Sequence, residues 1–282
     1  MAPPEVRRTP PAPDTTGTVP LRGWRLWLGA VLLLIVTAIT ASLGFWQLDR
    51  ADQKRSIQAD IDAARAQPAL ALSPKIPADE LVAWRQAWAR GAWQPGHTVF
   101  LDNRNHDGRP GFWVVTPLCL SSPDAQPEPD RQAADCDRAI AVLRGWVARP
   151  APGQLLPELA PLPASQVVEG RLLEHLPRLY ELGTLVPGAS DTSATLSWDD
   201  GAPLLQNLTL ADYAAATGLV LLDAVLEQSS ETGDGLLREW AGPPIDVDKH
   251  LGYALQWFSF AAIAFIALGV ILVKAIRNRQ RG

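Results

Sequence analysis

Two runs of uncharged, mostly apolar residues stand near the ends of the chain, one over 26–44 and one over 251–273. As helices rising 1.5 Å per residue they measure about 28–34 Å, close to a hydrocarbon core of about 30 Å. Backbone groups inside lipid must be satisfied within their own segment, so both runs are expected to be helical. Trp24, Trp27, Trp46 and Trp257 fall at the predicted membrane edges, where amphipathic rings prefer to lie. Two competing readings are a cleaved signal peptide for the first run and a buried core helix for the second. Against the signal peptide, no small-x-small site precedes a polar segment. Ser42-Leu43-Gly44 leads straight into Phe45-Trp46.

The intervening pattern is different. Residues 49–66 read as a polar continuation of the first helix, ended by Pro68, Pro74 and Pro77. Short strand-like segments follow over 84–93, 98–101, 111–120, 138–147 and 165–176. Valine, aromatic residues and turn clusters at this spacing predict an antiparallel sheet. Residues 102–108 read as a turn-rich stretch, 121–137 as a long hairpin loop and 183–204 as loop. Thr209 is the expected N-cap of a short helix with Asp212 in its first turn, Gly218 its C-cap, and 219–227 a last short strand. The expected fold is a membrane α-helical hairpin of two transmembrane helices. With it comes an extracytoplasmic, mainly antiparallel β domain (α+β) of barrel-like form.

Charge adds the orientation. Arg7, Arg8, Arg22 and Arg25 precede the first run, while Lys274, Arg277, Arg279 and Arg281 follow the second with no acid among them. The segment 45–250 carries 17 basic against 28 acidic residues. Basic flanks place both termini in the cytoplasm. Arg50, Lys54 and Arg55 oppose this at the first helix, so the C-terminal tail decides. The expected organisation is a disordered cytoplasmic tail 1–23, a transmembrane helix 24–45, a β-rich domain 46–249, a second transmembrane helix 250–273 and a basic cytoplasmic tail 274–282.

Candidate chemistry is sparse. Phosphate-binding glycine loops, Gly-x-Ser-x-Gly, His-Glu-x-x-His and Cys-x-x-Cys are all missing from the sequence, which argues against the enzymes and covalent haem proteins that use them. Cys119 and Cys136 are the two cysteines. Each ends a predicted strand, so a disulfide across the hairpin competes with a metal pair, the weaker reading because no His or Met lies near. His97, His106 and His175 read as solvated or turn residues. His250 begins the second membrane helix, with Tyr253, Ala254 and Trp257 on the same helical face. A neutral imidazole beside small and aromatic residues can ligate a haem iron, and Lys249 could meet a propionate. An interface-anchoring His is the plainer alternative.

Several segments together resemble the surfeit locus protein (Surf-one or Shy-one) family of cytochrome c oxidase assembly factors. They are Leu43-Gly-Phe-Trp-Gln-Leu-Asp-Arg50, Leu101-Asp-Asn-Arg104, Gly111-Phe-Trp-Val-Val-Thr-Pro-Leu118, Arg144-Gly-Trp146, Asp212-Tyr-Ala-Ala-Ala-Thr-Gly218 and His250-Leu-Gly-Tyr-Ala-Leu-Gln-Trp257. Leu143 stands where the family often has Asn, and the 121–137 insert looks particular to this chain. The resemblance implies a non-enzymatic factor of a bacterial inner membrane, its central domain periplasmic. It would bind haem a and assist its insertion into the catalytic subunit of a haem-copper oxidase. His250 is the implied iron ligand, with Tyr253, Trp257, Trp46, Gln47 and Arg50 about the cargo or the partner subunit. Assembly intermediates, haem a synthase and the lipid membrane are the implied partners, and no nucleic acid. The alternative is a haem-free scaffold that stabilises assembly intermediates.

Overall fold

The computed structural model describes residues 22–122, 136–151, 153–163, 165–179, 196–242 and 246–280. Two compact units divide it: residues 1–56 with 245–282, and residues 57–244.

The first unit holds the two long helices, α1 (Arg22–Ala66), which runs on into the second unit, and α3 (Val247–Gln280). Both are long and apolar enough to cross a bilayer, and only 11% and 17% of their most apolar windows are buried. Such exposure is what lipid-facing helices show, and it does not suit the core-helix reading of the second run. Thr40, Gly44, Gln47 and Ala51 are buried at helical spacing along one face of α1, and α3 buries Ala254, Ala261, Ala264 and Leu268. Small residues let membrane helices approach. A Cβ added to Gly44 would lie 2.7 Å from the Phe258 ring, and Phe45 meets Phe258 edge to face at 5.2 Å. Glycine at 44 is therefore what makes room for Phe258.

The second unit is a β domain. Its strands are β1 (Leu70–Leu72), β2 (Gln86–Trp93), β3 (Val99–His106), β4 (Arg109–Leu120), β5 (Ala139–Ala148), β6 (Gln166–Leu173), β7 (Leu204–Leu205) and β8 (Leu221–Gln228). The order is β1-β2-β6-β8-β5-β4-β3-β7, and an extra β2–β4 pairing closes β2, β6, β8, β5 and β4 into a five-stranded barrel. Closure removes the free edges that an open sheet exposes. Alternate residues of all five strands, including Ala87, Ala89, Leu118, Ile140, Val142, Val168, Leu172 and Leu226, form one buried cluster inside it. A second cluster, around Leu101, Val115, Leu143, Val225 and Tyr213, lies on the other side of these strands. Tyr213 belongs to α2 (Leu210–Thr217), capped by the Thr209 side chain on the Asp212 N–H and ended by Gly218 at φ 69°, as expected.

Some boundaries differ from the expectation. β3 does not stop at Leu101; it runs to His106, past a bulge between Leu101 and Arg104 where Asn103 takes φ 59°. Asp102 and Asn103 form the bulge, Arg104, Asn105 and His106 rejoin the ladder, and the turn shrinks to Asp107 (φ 48°) and Gly108 (φ 76°). Two consecutive positive-φ residues are the I′ hairpin turn that Asp-Gly favours. The α3 helix also continues through the basic segment to Gln280. Most of the 121–137 loop and of 183–204 lies outside the described residues.

Candidate functional site

Among the residues that the sequence singles out near the membrane helices, the structure brings together His250 and Gln47. Nδ1 of His250 lies 2.8 Å from Oε1 of Gln47, across 203 positions of sequence and between the two helices. An amide oxygen only accepts, so Nδ1 carries the proton and Nε2 of the neutral ring keeps its lone pair. A ligating imidazole is held in just this way, the nitrogen away from the metal donating to an oxygen. Gln47 is 9% exposed and His250 half-buried. Ala254, one turn on from His250, is buried, so that part of the face is packed against other atoms.

The other candidates stand apart from this pair. Arg50 is exposed and donates to Gln53 Oε1 (2.9 Å) on its own helix. Trp46 is exposed and lines a shallow hollow with Ala38, Ile39, Ser42 and Leu43. Tyr253 is exposed, and Trp257 packs edge to face on Phe260 (6.0 Å). Lys249 pairs with Asp246 at 3.3 Å. Cys119 and Cys136 are disulfide-bonded, with Cα atoms 5.6 Å apart, so neither is a metal ligand.

A second concentration of polar groups lies inside the β domain. Arg144 stands at a bulge of β5, where Val114 and Val115 of β4 oppose Gly145 and Leu143. Its side chain is 1% exposed, and Nη2 donates to Asp234 Oδ2 at 2.9 Å. Arg238 grips the same carboxylate through Nη2, at 2.6 and 2.7 Å, and reaches exposed Glu231 through Nη1 at 3.1 Å. Asp234 is placed by a tight turn whose flanking Gly233 and Gly235 have φ 68° and 77°. Desolvation pushes the Asp234 carboxyl up, but the Arg238 and Arg144 guanidiniums and the Leu236 N–H outweigh it and hold it below the ordinary carboxylate value. Burial lowers Arg144, with Asp234 opposing. Nearby, Arg171 pairs with buried Glu227, whose carboxyl burial raises despite Arg171. Nothing in the sequence marks Asp234 or Arg238 as partners of Arg144, since Gly-Asp-Gly announces only a turn.

The lesser histidines do not all follow their expected role. His175 is exposed. The His106 side chain is only 18% exposed, its ring 5.2 Å from Trp146, with Glu239 at 3.4 Å. His97 packs on Trp198 at 5.2 Å with Nδ1 buried, and burial lowers its pKa. His97 closes the turn Pro95–His97, as expected of a turn residue, while its ring and that of His106 pack at the core edge rather than standing in solvent.

A sequence model described as the SURF1 family matches residues 34–262. The chain is similar to an uncharacterised SURF1-like protein of Mycobacterium tuberculosis, 27% identical over 264 residues, which covers 90% of this chain and 86% of that protein. A SURF1-like protein of Drosophila melanogaster is 26% identical over 272 residues, 89% of this chain and 77% of its own length. One from Rickettsia felis is 27% identical over 118 residues, 41% of this chain and 45% of its own.

Proposed function

Since the chain belongs to the SURF1 family, generally oxidase assembly factors, we propose that it binds haem a between the ends of its two membrane helices and assists its insertion into the catalytic subunit of a haem-copper oxidase. The observation that carries this reading is the Gln47–His250 hydrogen bond of 2.8 Å. It turns a half-buried imidazole into an oriented donor with Nε2 free for iron. One protein nitrogen, held by a neutral amide rather than a carboxylate, suits cargo that must leave, because a carboxylate partner would raise the ring's basicity and tighten the bond. Haem a is the substrate of this transfer and keeps its own bonds, so the protein acts as a carrier and not an enzyme.

In this reading the two helices span a bacterial inner membrane. The basic end of α3, with Lys274 and Arg277, faces the cytoplasm together with the N-terminus. The β domain then lies in the periplasm, where a disulfide such as Cys119–Cys136 persists. The partners are the oxidase catalytic subunit, its assembly intermediates and haem a synthase. The test is the absorption spectrum of detergent-purified protein co-expressed with haem a synthesis, wild type against His250→Ala. Haem a on the wild type and its loss in the variant is the expected result. Equal haem in both moves the ligand elsewhere. No haem in either, with the catalytic subunit still captured, replaces the carrier by a scaffold.

A further inference from the structure

Three side chains from two distant segments converge beside Trp146. His106 ends β3, Asp107 follows it in the hairpin turn, and Glu239 comes from the segment after β8. Nε2 of His106 lies 3.4 Å from Oε2 of Glu239 and 3.8 Å from Oδ2 of Asp107. One ligand atom from each residue falls within 4.8 Å of the other two. These separations are too long for direct hydrogen bonds, about 2.7–3.2 Å. They approach the edge of a coordination polyhedron: ligand atoms about 2.0–2.1 Å from a tetrahedral zinc ion stand about 3.3–3.4 Å apart. Among the described residues neither carboxylate has a lysine or arginine partner. Two carboxylates this close repel each other unless a cation stands between them.

The groups are held from outside the cluster. Leu237 exchanges both backbone hydrogen bonds with Trp146, at 2.7 and 2.9 Å, and Trp240 Nε1 donates to the Gln228 carbonyl at 2.6 Å. The backbone on either side of Glu239 is therefore fixed. The His106 ring packs on Trp146 at 5.2 Å and is mostly buried. The nitrogen donor is thus preplaced, and the exposed Asp107 and Glu239 side chains need only rotate to close on the same point. One nitrogen and two carboxylates suit a borderline ion such as zinc. Calcium prefers about six to eight oxygen ligands, and thiolate-seeking ions find no sulfur here.

We propose that His106, Asp107 and Glu239 bind one zinc-type divalent cation through His106 Nε2 and the two carboxylates, with the fourth position open to water. The ion ties the β3–β4 hairpin to the segment that carries Asp234 and Arg238. The site lies within the β domain and does not depend on the haem reading.

Isothermal titration of zinc chloride into the full-length protein in detergent tests it, with the protein stripped by chelator and free of any polyhistidine tag. One saturable site is expected, with calcium weaker by at least about tenfold. Glu239→Gln and Asp107→Asn each remove one charged ligand and should weaken zinc at least about tenfold, a loss that even an outer partner of a metal ligand produces. Both side chains are exposed, and Asn tolerates positive φ as Asp does, so the metal-free variants should unfold at the wild-type temperature. Zinc should raise that temperature in the wild type only. His106→Gln serves as the third variant should either of these fold poorly. Absence of saturable binding overturns the proposal. Zinc affinity undiminished in either variant overturns it too, as does calcium bound as tightly as zinc, the mark of a diffuse acidic surface.

Discussion

Asp234→Asn tests whether the buried ion cluster is a structural keystone of the β domain. The carboxylate is 6% exposed and receives three close N–H contacts, one from Arg144 at 2.9 Å and two from Arg238 at 2.6 and 2.7 Å. Removing its charge leaves two guanidiniums, 1% and 2% exposed, with no buried counter-charge. Breaking a buried pair from one side costs about 3–5 kcal/mol. For a domain of this size that lowers Tm by about 6–20 °C. The control uses the same arginine: Glu231 also bonds Arg238, at 3.1 Å, but is 76% exposed, so Glu231→Gln should cost under about 1 kcal/mol. Thermal unfolding of the full-length protein in detergent, read by tryptophan fluorescence, reports it directly, because Arg144 lies 5.5 Å over the Trp93 ring. The pH dependence has a definite sign. Asp234 is held below its ordinary value of 3.8, so its contribution is complete above that value and fades as pH falls through the folded one. That acid limb should disappear in the Asn variant. A loss below about 1 kcal/mol for Asp234→Asn, or equal losses in both variants, would mean that the cluster is solvated and the burial argument does not apply.

Gln47→Leu keeps the size of the side chain and removes the acceptor for His250 Nδ1. Haem a retention, measured by spectral titration, should weaken about 10–100-fold, less than in His250→Ala, and unchanged affinity would remove Gln47 from the carrier reading. Glu227 shows the opposite pH sign to Asp234. Its carboxyl is raised above 4.5 by burial, with Arg171 opposing, so the folded protein holds that proton longer and stability falls as pH rises from 4.5 through the raised value. Glu227→Gln should flatten that slope in urea titrations at stepped pH, and a parallel slope in the variant refutes the assignment. Cys119→Ser opens a bridge spanning 17 positions and should cost about 3 kcal/mol in the chain-entropy account. The loss should appear in chemical unfolding without reductant, and reductant should bring the wild type to the same midpoint.

How much of this could be read beforehand depends on the range of the physics involved. The membrane helices are local: their length and lack of charge are written in consecutive residues, and so are the caps Thr209 and Gly218. Strands were legible as alternation, but their pairing was not. The barrel closes through Gly91, Ala92 and Trp93 on Leu120, Cys119 and Leu118, and a Cβ on Gly91 would lie 2.0 Å from the Cys119 carbonyl oxygen. Only that close approach explains the glycine, and nothing near Gly91 in sequence signals it. The bulge that carries β3 through Asp102 and Asn103 resembles a turn in sequence, because polar composition alone does not separate a twisted hairpin from a loop. Position at the head of the second helix marks His250. Gln47 shares its sequence motif with Trp46 and Arg50, and the geometry separates the three.

The segments that mark the family in sequence also sort into two physical groups, and the sorting bears on what a substitution in each would mean. Leu101–Arg104, Gly111 and Arg144–Trp146 are far apart in sequence but adjacent in the sheet, on β3, β4 and β5. Trp146 donates from Nε1 to the Arg104 carbonyl at 2.7 Å. A Cβ on Gly111 would meet the Trp146 ring at 2.3 Å, and one on Gly145 would meet Leu236 at 2.6 Å. Arg104 itself stacks 4.7 Å over Trp113 and donates to the Pro177 and Gln206 carbonyls at 3.0 Å each. These residues hold three strands and two loop segments in register, so their replacement acts first on folding. Gln47 and His250 have no such load: both lie outside the barrel, and their mutual hydrogen bond closes no sheet and caps no helix. A polar pair between two otherwise apolar helices contributes modestly to stability, about 0.6 kcal/mol on average. The physical case for function therefore rests more firmly on the Gln47–His250 pair than on the barrel segments, although both carry the family resemblance equally.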